Sequence, residues 1–163
     1  MESPYLEKEK RLAKIIAAIQ VMATYKFYKC DFETWSDRIF GNKLQGKELE
    51  GMFKDHPEFF RLDNARSKAS LVWRRNYPKN FNVDKLETIT KAEFLKLDEK
   101  EKMRISRTPL RNDDISTLIK TAVGLHEHAL KMKQEGRWWI PLFLVLIGGL
   151  FGLIPFILEK IFS

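Results

Sequence analysis

The chain has 163 residues, of which 44% are hydrophobic, and a formal net charge of +7. This length suits one compact domain with a helical extension rather than two full domains, and an ordinary apolar content with 12 Phe argues against a disordered chain. Because Cys30 is the single cysteine, an internal disulfide is excluded and a reducing compartment fits best.

Three helices are predicted in the first 55 residues. Apolar residues recur at helical spacing over residues 12–27, which predicts a long amphipathic helix. Asp31 is the expected N-cap of a shorter helix that ends at Gly41. A third helix is expected over residues 45–55, and it cannot continue into His56 because a residue before proline avoids the helical region.

The segment EFFRLDNARSKASLVWRR, residues 58–75, predicts a β-hairpin. Apolar and polar residues alternate on both sides of a polar centre at residues 64–69. The element order helix, helix, helix, hairpin over about residues 12–77 resembles the winged-helix variant of the helix-turn-helix family. This resemblance implies a mainly α fold with a small β-hairpin, in which residues 1–79 form a winged-helix-like domain.

A helical extension is predicted over residues 80–135. Thr90 with Glu93 matches a capping box, the spacing recurs at Asp98, and Asn112 is expected to cap a long helix. That helix carries an apolar stripe made of Ile115, Leu118, Ile119, Ala122, His126, Ala129 and Leu130. The stripe either covers the globular domain or pairs with its copy in a homo-oligomer through residues 113–135.

Residues 136–163 are predicted to be a C-terminal transmembrane anchor. Residues 138–158 contain 21 residues without a charged side chain or histidine, and at about 1.5 Å per residue they span roughly 30 Å. The basic flank that includes Arg137 predicts a single pass with a cytoplasmic N-terminus, and Trp138 and Trp139 suit the membrane interface.

Small residues within the predicted span suggest self-association. Gly148 and Gly152 form a G-x-x-x-G pattern that lets two helices approach closely, and Pro155 removes a backbone donor. The whole chain also resembles small membrane-anchored bacterial proteins, which implies a single-pass protein of the bacterial inner membrane.

Positive charge is concentrated in residues 58–79, which hold six basic and two acidic residues. The candidate contacts for DNA or an acidic protein partner are Arg61, Arg66, Lys68, Arg74, Arg75 and Lys79, with Lys47 and Lys54 of the third helix as secondary contacts. The third helix and its lead-in have no net charge, so the hairpin is expected to dominate any nucleic-acid contact. The same arginines would also suit anionic lipid headgroups, or they are simply solvated.

Catalysis and metal binding are not expected. Two residues apart on a helix, His126 and His128 point to opposite sides, unlike the H-E-x-x-H spacing of a zinc helix. The sequence has no phosphate-cradling glycine loop and no nucleophile motif. We therefore expect a protein without a cofactor, a metal or an enzymatic activity.

The predicted function is a membrane-tethered binding module whose winged-helix-like domain recognises nucleic acid or a protein partner. The alternative is a membrane effector that self-associates through its anchor and perturbs the bilayer, as a bacterial toxin or an antiphage defence protein would. Contacts on the hairpin would carry the first function, and Gly148, Gly152 and Pro155 would carry the second.

Overall fold

The structure is a computed structural model that describes residues 3–136. Within these residues the α-helices are α1 (Arg11–Thr24), α2 (Phe32–Phe40), α3 (Gly46–Asp55), α4 (Lys91–Lys96), α5 (Glu99–Met103) and α6 (Asn112–Glu135). The strands are β1 (Lys29–Asp31), β2 (Phe60–Leu62), β3 (Lys68–Leu71), β4 (Phe81–Asn82), β5 (Glu87–Thr88) and β6 (Ile105–Ser106). They form two antiparallel sheets, with strand orders β1-β3-β2 and β5-β4-β6.

The first sheet and helices α1 to α3 enclose the main hydrophobic core. The fully buried Trp35 of α2 donates its indole N–H to the carbonyl oxygen of Ala69 at 2.9 Å, which ties the helix to the central strand β3. The Asp31 carboxylate accepts from the Thr34 N–H at 2.7 Å, and Gly41 adopts φ 68° where α2 ends. Both predicted limits of this helix are therefore confirmed, and their causes are the N-cap and the left-handed C-cap.

The segment between β5 and β6 follows the predicted capping signals. The capping boxes of Thr90 with Glu93 and of Asp98 with Glu101 are both formed. These reciprocal hydrogen bonds stabilise helices α4 and α5, which bury little apolar surface.

Helix α6 lies against α1 and covers the core. Leu118, Ala122 and Ala129 of its apolar stripe are buried, whereas Leu130 is 41% exposed. The helix begins at Asn112 and its N-cap is Arg111, one residue earlier than the sequence predicts. The sequence left two possible roles for the apolar stripe. The structure shows that the stripe covers the domain, and pairing with a second copy stays a prediction.

The predicted fold class is wrong about the β-structure. It included one hairpin, but Lys29–Asp31 adds a third strand to that sheet, and residues 80–106 hold a second sheet inside the predicted helical extension. The predicted first helix, residues 12–27, stops at Thr24 because Tyr25 adopts an extended backbone with ψ 143°. Short strands of two or three residues carry too little alternation for a sequence pattern to reveal them.

The membrane part of the prediction is also corrected. Among residues 3–136, no helix is both long enough and apolar enough to cross a membrane. The longest, α6, has 24 residues but carries charged side chains along its length, and α1 has 14. This finding contradicts the predicted transmembrane fold and the single-pass membrane location with a cytoplasmic N-terminus in a bacterial inner membrane.

The residues on which those membrane predictions were based lie outside the described residues. They are the predicted span itself, its interface residues and its self-association residues: Arg137, Trp138, Trp139, Gly148, Gly152 and Pro155.

The buried side chain of Arg74 joins the core to the second sheet. Arg74 is 0% exposed and sits in the short 3-10 turn Trp73–Asn76. Its guanidinium donates to five backbone carbonyl oxygens, those of Arg107 (2.8 Å), Met22 (2.9 Å), Thr108 (3.2 Å), Lys26 (3.4 Å) and Tyr25. Burial lowers the pKa of Arg74 to about 10, so the group stays charged at neutral pH. One side chain therefore holds together the end of α1, the 3-10 turn and the segment after β6.

Replacing Arg74 is expected to destabilise the fold far more than replacing its neighbour. Arg74→Met keeps the side-chain length but leaves several buried carbonyls without donors, which should lower the free energy of unfolding by about 3–5 kcal/mol. Arg75→Met alters an exposed side chain and should change the free energy by less than about 0.5 kcal/mol. Urea unfolding of the two variants measures both values. Equal values for the two variants would contradict the assigned role of Arg74.

A buried histidine anchors the N-terminal segment to the end of α3. His56 is 0% exposed, and its Nδ1 lies 3.1 Å from the Glu58 carboxylate, which also accepts a hydrogen bond from the Tyr5 hydroxyl. The Tyr5 and His56 rings meet edge to face with centroids 4.6 Å apart. Desolvation lowers the pKa of His56, and the Glu58 hydrogen bond offsets this only in part, so the neutral ring is favoured.

Stability should therefore fall on mild acidification. Because the folded-state pKa of His56 lies below its ordinary value of 6.5, the unfolded chain takes up the proton first. The contribution of the neutral His56 to the free energy of unfolding is present above about pH 6.5. It is lost as the pH falls toward the lowered folded-state pKa, and the free energy of unfolding changes by no more than about 1.4 kcal/mol per pH unit.

Urea unfolding at pH 7.5 and 5.5 tests this dependence. The stability of His56→Gln should not decrease between these pH values, whereas that of His128→Gln, which changes an exposed ring, should decrease as in the wild type. A wild-type decrease that persists in His56→Gln would assign the titration to another group.

Candidate functional site

An open groove of about 440 Å³ lies beside the first sheet and collects basic side chains from separate parts of the chain. We call it the basic groove. It is lined by Tyr28, Lys29, Arg61, Leu62, Asp63, Asn64, Ala65, Arg75 and Arg107. Four of these residues are cationic and one is a carboxylate, so the groove favours an anionic ligand.

Strand register places two of the cations on one face of the sheet. Lys29 of β1 and Arg61 of β2 are both paired with Ser70 of the central strand β3. Directly paired residues point to the same side of a sheet, and two strand spacings separate the outer pair by about 10 Å. Because Ala69 and Leu71 are buried in the core, the alternation of β3 puts Ser70 and its two basic neighbours on the other face.

The other two cations depend on the buried Arg74. Arg75 follows it directly and is exposed, while the carbonyl of Arg107 accepts from the Arg74 guanidinium at 2.8 Å. The Arg107 side chain donates to the Tyr77 carbonyl, and its guanidinium carbon lies 5.4 Å from the centroid of the Tyr28 ring. Hydrogen bonding and a cation–π contact therefore orient this side chain at the groove.

The hairpin loop beside the groove is held by Asp63. Its carboxylate accepts from the N–H groups of Ser67 at 2.9 Å and Lys68 at 3.1 Å. Desolvation opposes ionisation, but these hydrogen bonds outweigh it and lower the pKa of Asp63, so the carboxylate is charged at neutral pH. Arg66 takes φ 53° at the turn, a left-handed conformation that is uncommon for a residue with a side chain.

The residues predicted as contacts have different environments. Arg61 and Arg75 line the basic groove, Arg66 and Lys68 are exposed on the hairpin, and Lys79 is exposed before β4. Arg74, in contrast, is in the core, where its donors are used by backbone carbonyls. We therefore assign Arg74 a structural role. The candidate contacts that remain are the exposed residues of the hairpin and its flanks.

Helix α3 uses its charges in ion pairs. Lys54 lies 2.5 Å from Glu50 of the same helix. The acidic residues Glu48 and Asp55 pair with α1, at 2.5 Å from Lys14 and 3.2 Å from Arg11 respectively. The exposed Lys47 and Lys54 thus stand among carboxylates, and the helix offers no surplus of positive charge for phosphate.

Sequence reasoning missed two of the four groove cations, Lys29 and Arg107, and the aromatic residue Tyr28. Lys29 belongs to a three-residue strand without clear alternation, and Arg107 is 46 positions beyond Arg61, in a segment whose charge is nearly balanced. Their proximity follows from sheet pairing and from the Arg74 hydrogen bonds. No signal in the linear sequence indicated it.

Titratable groups elsewhere in the described part of the chain do not assemble into a metal centre. Within residues 3–136, no group of three or more His, Cys, Asp or Glu residues could hold a metal ion. Of the His pair considered in the sequence, His126 is half-buried and His128 is exposed. Burial raises the pKa of the Cys30 thiol to about 11, which keeps it protonated at neutral pH.

Comparison with known proteins does not add to this description. No protein-family model, curated protein or solved structure matches the chain. The chemistry of the basic groove is therefore the basis for inferring a function.

Proposed function

We propose that this chain is a nucleic-acid-binding module that holds the phosphate backbone in the basic groove. The observation that carries the proposal is the convergence of four cations, Lys29, Arg61, Arg75 and Arg107, on one groove with a single carboxylate. Lys and Arg side chains that neutralise phosphates supply most of the affinity in such complexes and release condensed counterions. Binding of a ligand, and not catalysis, is the proposed activity.

The order of elements supports a winged-helix domain over about residues 12–77. After α1 come one strand, two helices and a hairpin, and the hairpin strands join β1 in the order β1-β3-β2. In helix-turn-helix proteins the recognition helix usually enters the major groove. In this chain the carboxylates of α3 disfavour that mode, and the sheet face with its hairpin carries the surplus positive charge.

An acidic protein would be attracted by the same cations. Phosphate is favoured because the groove is lined by three arginines, whose fork of donors matches phosphate oxygens. Competition by an acidic peptide is therefore included in the test below.

Neutralising two groove cations should weaken binding and its salt dependence. In the 163-residue chain, Lys29→Gln with Arg61→Gln should reduce affinity for a fluorescent mixed-sequence oligonucleotide about tenfold or more, and the slope of log K against log salt should fall by about 2. Fluorescence anisotropy between 50 and 200 mM salt measures both quantities, for single strands and for duplexes.

The matched control changes the same charge on α3. Lys47→Gln with Lys54→Gln should leave affinity within about twofold of the wild type, since those lysines lie among carboxylates. Equal losses in both pairs of variants would show a diffuse charge effect and contradict the groove assignment. If poly-glutamate displaces the oligonucleotide at equal charge concentration, the ligand is an acidic protein instead.

A further inference from the structure

We infer that the basic groove takes a single strand of nucleic acid in preference to a duplex. This inference rests on the proposed function and specifies its ligand.

The groove is concave and small. A volume of about 440 Å³ lies within the range of pockets that enclose small ligands, roughly 300–1,000 Å³. Proteins that read a duplex commonly place a convex element, an α-helix or a β-ribbon, in the major groove, which is about 12 Å wide. Here the cations line a recess and not a projecting element, and an extended single strand can follow such a recess.

An aromatic ring stands next to the cations. Tyr28 lines the groove, precedes Lys29 in the chain and has the Arg107 guanidinium 5.4 Å from its ring centroid. Sites for single strands combine a cationic path for the phosphates with aromatic rings or guanidinium planes on which bases stack. Lys29 and Arg61 supply the cationic part, and Tyr28 with Arg107 supplies the stacking part.

Contacts with both sheets fix the backbone that carries this ring. The backbone N–H of Tyr28 donates to the Ser106 hydroxyl of β6 at 3.0 Å, and Ser106 is buried. The following residue, Lys29, is already paired with Ser70 in the first sheet. The backbone of Tyr28 is thereby held between the two sheets, and the cation–π contact with Arg107 orients its ring, so little conformational freedom is lost when a base stacks on it.

The helix that would read a duplex is poorly suited to do so. Glu48, Glu50 and Asp55 neutralise the basic residues on and around α3. Carboxylates at the surface of a recognition helix repel the phosphates that border the major groove. The groove therefore indicates unpaired nucleic acid as the ligand, and α3 offers no surface that complements a duplex.

The test compares one oligonucleotide in two forms. A fluorescent mixed-sequence 20-mer without self-complementarity is titrated with the 163-residue chain at 50 mM salt, alone and annealed to its complement. The single strand should bind at least tenfold more tightly. Tyr28→Leu should weaken single-strand binding by about 5- to 100-fold while changing duplex binding by less than about twofold, since base stacking needs the aromatic face.

Phe27→Leu is the matched control, because Phe27 is the adjacent aromatic residue and does not line the groove. It should bind the single strand within about twofold of the wild type, and thermal unfolding checks that both variants are folded. If the duplex binds as tightly as the single strand and depends on Lys29 and Arg61, the single-strand inference is overturned and the proposed function stands. If neither form binds at 50 mM salt, the proposed function fails and this inference fails with it.

Discussion

The hydrogen bonds of the buried Arg74 guanidinium determine how the two sheets of this protein are placed. Charge buried in a protein interior is tolerated only when its donors are satisfied, and here backbone carbonyls from the end of α1 and from the segment after β6 accept them. The same hydrogen bonds set the backbone of Arg107 against the first sheet. A residue that contacts no ligand thus determines where one wall of the basic groove lies.

Charged side chains have different partners on two surfaces of the protein. On the helical surface, acidic and basic residues of α1 and α3 pair with each other, for example Lys14 with Glu48 and Arg11 with Asp55. On the sheet surface, the groove is lined by four cations and one carboxylate, which are Lys29, Arg61, Arg75, Arg107 and Asp63. This face therefore has a surplus of positive charge, which would attract an anionic polymer.

Local signals in the sequence predicted local structure well. The N-cap at Asp31, the C-cap at Gly41 and the capping box at Thr90 each depend on residues within a few positions, and all three are formed. Strand β1 and the second sheet were missed because their alternation spans only two or three residues, and the partners of β1 and β6 are also distant in the chain. Arg74 was expected on the surface with Arg75. Burial of this arginine depends on carbonyls from two other segments, the end of α1 and the residues after β6, which no local pattern encodes.

Hydrogen–deuterium exchange with and without a bound oligonucleotide tests the central claim, that the sheet face and not the third helix binds nucleic acid. Amides that a ligand covers or stabilises exchange more slowly. Slower exchange is expected in residues 28–31, 61–68 and 105–108 when the oligonucleotide is bound, and no change is expected in residues 46–55. Slower exchange in residues 46–55 with the groove segments unchanged would contradict this claim and would make α3 the recognition element.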